Sequence, residues 1–197
     1  MNKEKQESPI SINETMAEIM SSLSNNLSIA KSRLDRFIDA FNSRFPDNRA
    51  EDRGRAEAIT WALMGGPLIL YALNLNGSVI IELHGILESF ALRDAIMHIA
   101  LPSKRVLAFG ISERCNLRDS AVILQNLGIF DEEDIKFEQK LTALRNGLAH
   151  KNPRRISNML FSGKRISVLD IDSVMSKYDC LTLIIKTIHL MVKMSKG

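Results

Sequence analysis

The chain has 197 residues, 45% hydrophobic and 25% charged, an ordinary globular balance with length for a real core in one domain, or in one domain with an appendage. Its net charge of +3 is too small to demand a nucleic-acid partner. Cys115 and Cys180 are too few and too far apart for a disulfide framework or a zinc site, and with no signal peptide they point to a reducing, cytoplasmic setting.

Residues 1–11 are expected to be disordered, Met1 to Pro9 being polar. From Ile12 to about Arg44, Met16, Ile19, Met20, Leu23, Leu27, Ile29, Leu34, Phe37 and Phe41 form a long helical pattern, with a break expected near Asn25-Asn26 and an end at Pro46-Asp47-Asn48. A second helix is expected from about Asp52 to Met64, and Pro67 opens a short third. Ile59 to Ile81 carries no charge over 23 residues. Gly65-Gly66-Pro67 interrupts it, however, and Asn74 and Asn76 would sit unpaired in lipid, so buried helices joined by a turn explain it better than a membrane span.

Ser78 is placed to cap a strongly apolar helix to about Leu101, before Pro102. Helices near 103–110 and 117–127 follow, then one from Glu132 to about His150, stopped by Pro153. Ile156 to Phe161 and Arg165 to Leu169 flank Ser162-Gly163-Lys164, a hairpin signal. Asp172 or Ser173 starts a last helix reaching about Met194. The expected fold is all-α: N-terminal helices, 12–76, packing on a helical bundle, 77–197, with a small β-hairpin after the Glu132 helix. No internal repeat or low-complexity segment is present.

The Glu132 helix carries the most informative residues. Asp131 can cap it, and Glu132, Glu133 and Asp134 fill a first turn where the helix dipole favours negative charge. Phe137, Leu141, Leu144 and Leu148 make the stripe that faces a core. Thr142, Arg145, Asn146, Ala149 and His150 fall on the opposite side, over an arc of about 140°. Thr142 and Ala149 are small, so a backbone or a ligand can approach between Arg145 and His150. A permanent cation beside the side chain that trades protons near neutral pH suits a phosphodiester, which needs charge stabilisation and a proton shuttle.

The spacing alone is weak. With 14 arginines and four histidines, such a pair arises about once by chance, and Arg93 with His98 repeats it inside the apolar helix. The competing reading is that Arg145 pairs with an acidic neighbour and His150 caps the helix C-terminus. Context separates the two pairs. From Arg145 to Leu169 there are six basic residues, Arg145, Lys151, Arg154, Arg155, Lys164 and Arg165, and no acidic one, a segment suited to a polyanion or simply to solvent.

Leu144-Arg145-Asn146-Gly147-Leu148-Ala149-His150, after a helical region and before a basic loop, resembles the signature of the HEPN superfamily. Its members are small α-helical bundles with Arg, four to six residues, then His, often with a polar residue directly after the Arg. Ala121 to Ile129 and the Asp-Glu helix start are also similar. The likeness covers residues 102–152 in detail and 77–195 in helical organisation. It implies a HEPN-type bundle and a metal-independent, cofactor-free endoribonuclease, a homodimer in which two motifs line one cleft.

By the same resemblance the chain acts on RNA as a toxin or defence effector, with an antitoxin or regulatory protein as partner. Arg145, Asn146 and His150 then map onto catalytic positions. The 2′-hydroxyl attacks the adjacent phosphate, His150 serves as general base or acid, Arg145 stabilises the developing charge, and Asn146 orients the phosphate or His150. Lys151, Arg154 and Arg155 track the RNA backbone. One departure matters: the branch paired with nucleotidyltransferase antitoxins carries Tyr two residues after the His, where this chain has Asn152, which speaks against tyrosine modification by such a partner. Two alternatives share the residues: a non-catalytic helical module binding RNA, a nucleotide or a protein, and a regulator resembling the mannitol operon repressor family. No helix-turn-helix reading head supports the latter.

Elsewhere, His84 and Glu88 stand at i and i+4 with Glu82 nearby; with no third ligand visible, a hydrogen-bonded pair is favoured over a metal site. His98 and His189 sit among apolar residues and read as structural, and the nine methionines as core filler. Gly65-Gly66 precedes proline without the Lys-Ser or Lys-Thr of a phosphate loop, and no serine or cysteine shows a local activating signature.

Overall fold

The computed structural model describes residues 12–99, 116–152, 156, 160 and 171–196, and among them every regular element is helical. Helix α1 (Ile12–Arg44) runs unbroken for 33 residues. The interruption expected at Asn25-Asn26 does not form, because an asparagine costs a helix under about 1 kcal/mol relative to alanine, too little to open a ladder held on both sides. Phe37, Phe41 and Phe45 recur every four residues, bury, and pack ring on ring at 5.8 and 5.1 Å.

A 3-10 turn at Asp47–Arg49 leads into α2 (Ala50–Leu63), α3 (Gly65–Ala72) and α4 (Asn76–Ile99). Pro67 lies inside the first turn of α3, where a missing N–H has no intrahelical partner to lose. Helix α4 starts at Asn76, so Ser78 sits within its first turn and is not its cap.

Four helices complete the described chain: α5 (Leu117–Asn126), α6 (Glu132–Ala149), α7 (Ile171–Ser176) and α8 (Leu181–Met194). The single last helix expected from the periodicity is therefore two. Asp179 separates them: its Oδ1 accepts the Leu181 N–H at 3.1 Å, and its carboxylate pairs with Arg36 of α1. Of the expected hairpin, Ile156 and Leu160 are helical, a correction, while its other positions lie outside the described residues. Residues 1–11 and the helix expected at 103–110 also lie outside them.

Helix α4 is the hub. Ile80, Leu83, Leu87 and Ala91 follow helical spacing and are fully buried, and the helix packs on α3, α5, α6 and α8. Helix α8 lies between α2 and α4 with Leu183, Ile184, Ile188 and Met191 buried. The uncharged stretch is thus shared among α2, α3 and α4, and among the described residues no helix is long and apolar enough to cross a membrane. Asn76 is buried but satisfied: its Nδ2 donates to Asn74 Oδ1 and Met175 O, both at 2.9 Å, and its Oδ1 accepts from Arg33 at 2.7 Å. Arg33 also lies 4.1 Å over the Tyr71 ring, which pins α1 to the α3–α4 turn.

Three helices end in the same closure, with one residue in the left-handed region: Asn74 (φ 60°) after α3, Gly128 (φ 74°) after α5, Lys151 (φ 46°) after α6. In each, the next amide reaches back to a carbonyl five residues earlier, Leu75 to Leu70, Ile129 to Leu124 and Asn152 to Gly147.

Histidine burial gives the fold an acid-sensitive component. His189 on α8 is half-buried beside Phe45, and burial pushes its imidazole from 6.5 down to about 4, with Arg44, Lys186 and Lys193 adding to the effect and Asp134 opposing it. The unfolded chain therefore takes up this proton first. Stability from this site is full above 6.5 and is lost as pH falls toward about 4. His84, also lowered chiefly by burial, acts in the same sense, whereas Asp131, held near 2 by Lys193, loses its contribution only below 3.8. The melting temperature is expected to fall between about pH 7 and about pH 4.5, and His189→Gln to flatten that fall. A variant with the wild-type profile would exclude His189 as its source.

Candidate functional site

Helix α6 starts where its sequence says it should. Asp131 Oδ1 accepts the Asp134 N–H at 3.0 Å, and Asp134 Oδ2 accepts the Asp131 N–H at 3.1 Å, a reciprocal capping box. Leu141 and Leu144 are fully buried, with Phe137 and Leu148 packed at the edge of the same core. The acidic first turn is less uniform than expected. Glu132 and Glu133 face solvent, but Asp134 is buried and accepts from Lys186 and Lys193 of α8.

On the opposite side, Arg145, Ala149 and His150 are exposed, and Thr142 and Asn146 half-buried. Arg145 Nη1 donates to Asn146 Oδ1 at 3.1 Å, and among the described residues it forms no ion pair with a carboxylate. His150 is the C-cap residue of α6, its N–H bonded to Asn146 O at 3.0 Å. His150 stands five positions after Arg145, about 7.5 Å along the axis and about 140° around it. Gly147 is the close approach beneath them: a Cβ there would meet Ile156 Cγ1 at 2.9 Å, so the chain after the motif folds back against α6.

Lys151 holds the left-handed position of the α6 closure, which favours glycine; a side chain there costs roughly 1–2 kcal/mol. It is exposed and directly follows His150 in the chain. Lys151→Gly is expected to raise stability by about 0.5–1 kcal/mol, since the freer unfolded glycine returns part of the relieved strain. Denaturant unfolding checks this, and a variant no more stable than wild type would show that the left-handed position costs the lysine nothing.

Arg145 and Asn146 line a cleft of about 300 Å³ between α4, α5 and α6, shared with His84, Glu88, Asn116, Leu117, Arg118 and Thr142. His84 is 7% exposed. Its Nε2 lies 3.2 Å from Thr142 Oγ1, and Thr142 in turn donates to Glu138 Oε1 at 2.8 Å. Glu138 is buried, which raises its pKa, against the Thr142 hydrogen bond and the charge of Arg118. Glu88 Oε1 accepts the Leu117 N–H at 3.2 Å and so caps α5, while its Oε2 stands 4.0 Å from His84 Nδ1. Thr142, expected to leave room for a ligand or a backbone, is instead met by His84.

The structure therefore brings Arg145 and Asn146 together with His84 and Glu88, which the sequence pattern favoured as a structural pair. His150 does not line this cleft, and Lys151 lies exposed beyond it. Arg154 and Arg155 lie outside the described residues. Arg118, Asn116 and Glu138 were not marked by any sequence motif; the one local signal was Asn116 with Asp119, which form the capping box of α5. Among the described residues, no three His, Cys, Asp or Glu side chains gather to hold a metal ion. Compared with models of protein families, with curated proteins and with solved structures, the chain matches none.

Proposed function

We propose that the chain is an endoribonuclease of HEPN type, a toxin or defence effector that cleaves RNA by attack of the 2′-hydroxyl on the adjacent phosphate. One observation carries this reading: Arg145 is exposed at a polar cleft, held by the Asn146 amide and, among the described residues, by no carboxylate. An arginine that holds the fold, as Arg33 does, spends its donors on acceptors of other helices. This one keeps guanidinium N–H donors for a phosphate, and Asn146 fixes its direction.

His150 supplies proton transfer from the end of the same helix, and Lys151, Arg154 and Arg155 track the RNA backbone. Because His150 lies outside the cleft of its own chain, two chains complete one site, with the motif helices near a two-fold axis. A non-catalytic RNA-binding module is the second reading, favoured by that same displacement of His150.

The test is purified protein on diverse RNAs, with light scattering on the same sample. The expected result is a dimer of about 44 kDa, twice the 22.1 kDa chain, leaving 2′,3′-cyclic phosphate and 5′-hydroxyl ends in EDTA. A monomer that binds RNA and leaves it intact is the binding module. DNA is expected to remain uncut, since it lacks the 2′-hydroxyl.

A further inference from the structure

We propose that the cleft between α4, α5 and α6 seats the scissile phosphate between Arg145 and Arg118, and that His84 is the base that takes the 2′-hydroxyl proton. The inference rests on the ribonuclease reading and adds a residue from another helix, 61 positions before Arg145 in the chain.

The hydrogen-bond chain under the cleft sets the chemistry of His84. The Thr142 hydroxyl proton goes to Glu138, so the Thr142 oxygen is left to accept, and the proton it accepts is the one on His84 Nε2. In that tautomer Nδ1 carries a free lone pair. Its nearest charged neighbour on α4 is Glu88, at 4.0 Å and beyond hydrogen-bond reach. The other charged groups facing the ring are Arg145 and, through Thr142, Glu138 on α6, with Arg118 on α5 lining the same cleft. Burial holds the imidazole below its ordinary value, with Arg145 pushing the same way and Glu88 opposing, so the ring is neutral and ready to accept at neutral pH.

The phosphate seat does not depend on the α5 terminus, because Glu88 already occupies the Leu117 amide. It depends on two exposed guanidiniums and an amide around a cleft of about 300 Å³. A transphosphorylation needs a base on one side of phosphorus and an acid on the other. His84 Nδ1 takes the proton of the 2′-hydroxyl as the O2′–P bond forms. The P–O5′ bond breaks, and O5′ takes a proton from the partner subunit's His150, the acid of the pair. The two imidazoles regain their starting states by exchange with water, so no other reactant is consumed.

The experiment uses full-length protein, a short RNA, and the same RNA with a single 2′-deoxy substitution at the cleavage position as an uncleavable probe. His84→Gln keeps an N–H donor for Thr142 and removes the base. It is expected to cut at least about a hundredfold more slowly, to bind the probe within about threefold of wild type, and to lose the limb of the pH–rate profile that reports the base. Arg118→Gln should weaken probe binding at least about tenfold. In wild type, the His84 ring resonances should shift on titration with the probe and the His189 resonances should not.

If wild type cuts and His84→Gln cuts equally well, the base assignment falls and the ribonuclease reading stands. If wild type cuts no RNA but the His84 resonances move, the ribonuclease reading falls together with the base, and the phosphate seat stands. Unmoved His84 resonances, with Arg118→Gln binding as wild type, overturn the seat itself. If His84→Gln fails to fold, this titration still decides the seat, and His84→Asn takes its place in testing the base.

Discussion

His150→Ala and Arg145→Ala are each expected to lower RNA cleavage at least about a hundredfold, the usual loss when a proton-transfer group or a donor to developing oxyanion charge is removed. Both side chains are exposed, so stability should stay within about 1 kcal/mol of wild type. What Arg145 can lose is its bond to Asn146. The chance pair supplies the control. Arg93 lies exposed over the Phe90 ring at 4.5 Å, and Arg93→Ala should leave cleavage per folded molecule unchanged. Full activity in His150→Ala, or activity abolished by EDTA, would sink the mechanism. Arg145→Ala separates the two readings of the site: a nuclease loses rate at saturating RNA, whereas a binding module loses affinity alone.

Asp134→Ala is expected to be the most destabilising exchange of a polar residue in α6, at roughly 2–3 kcal/mol. The carboxylate is 0% exposed and accepts from Lys186 Nζ at 2.7 Å, from Lys193 Nζ and from the Asp131 amide at 3.1 Å. Removing it leaves the Lys186 ammonium and a helix-start amide without this acceptor, while Lys193 keeps Asp131 Oδ2 at 2.7 Å. The lysine side chains are 26% exposed, so they can turn to water, which keeps the cost below that of a fully buried pair. For a chain of this size the melting temperature should fall by roughly 5–10 °C. Glu133→Ala, one residue earlier, breaks only a surface pair with Lys136 and should cost under about 0.5 kcal/mol. Equal effects at the two positions would show that Asp134 acts through the helix dipole and not through α8.

Much of α6 was legible because its signals are local. The Asp131 cap, the Leu141 and Leu144 stripe and the outward Arg145 and His150 all follow from residues within a turn or two of one another, where helical periodicity decides orientation. The acidic run misled at one position. The dipole argument treats Glu132, Glu133 and Asp134 alike, and only two lysines about fifty and sixty residues downstream pick out Asp134 for burial. The last helix was misjudged for a similar reason: Asp179 breaks it with a local side-chain bond and is held there by Arg36, far away on α1.

By itself, then, the sequence determined the all-helical class and the start and outer face of the motif helix, because these depend on period and on neighbours in the chain. Only the tertiary structure decided what stands across from that face. His84 on α4, Arg118 on α5 and the Glu138–Thr142 pair on α6 come together because their helices bury apolar stripes against one another, and a pattern that records spacing along one helix holds no information about which face of another it will meet.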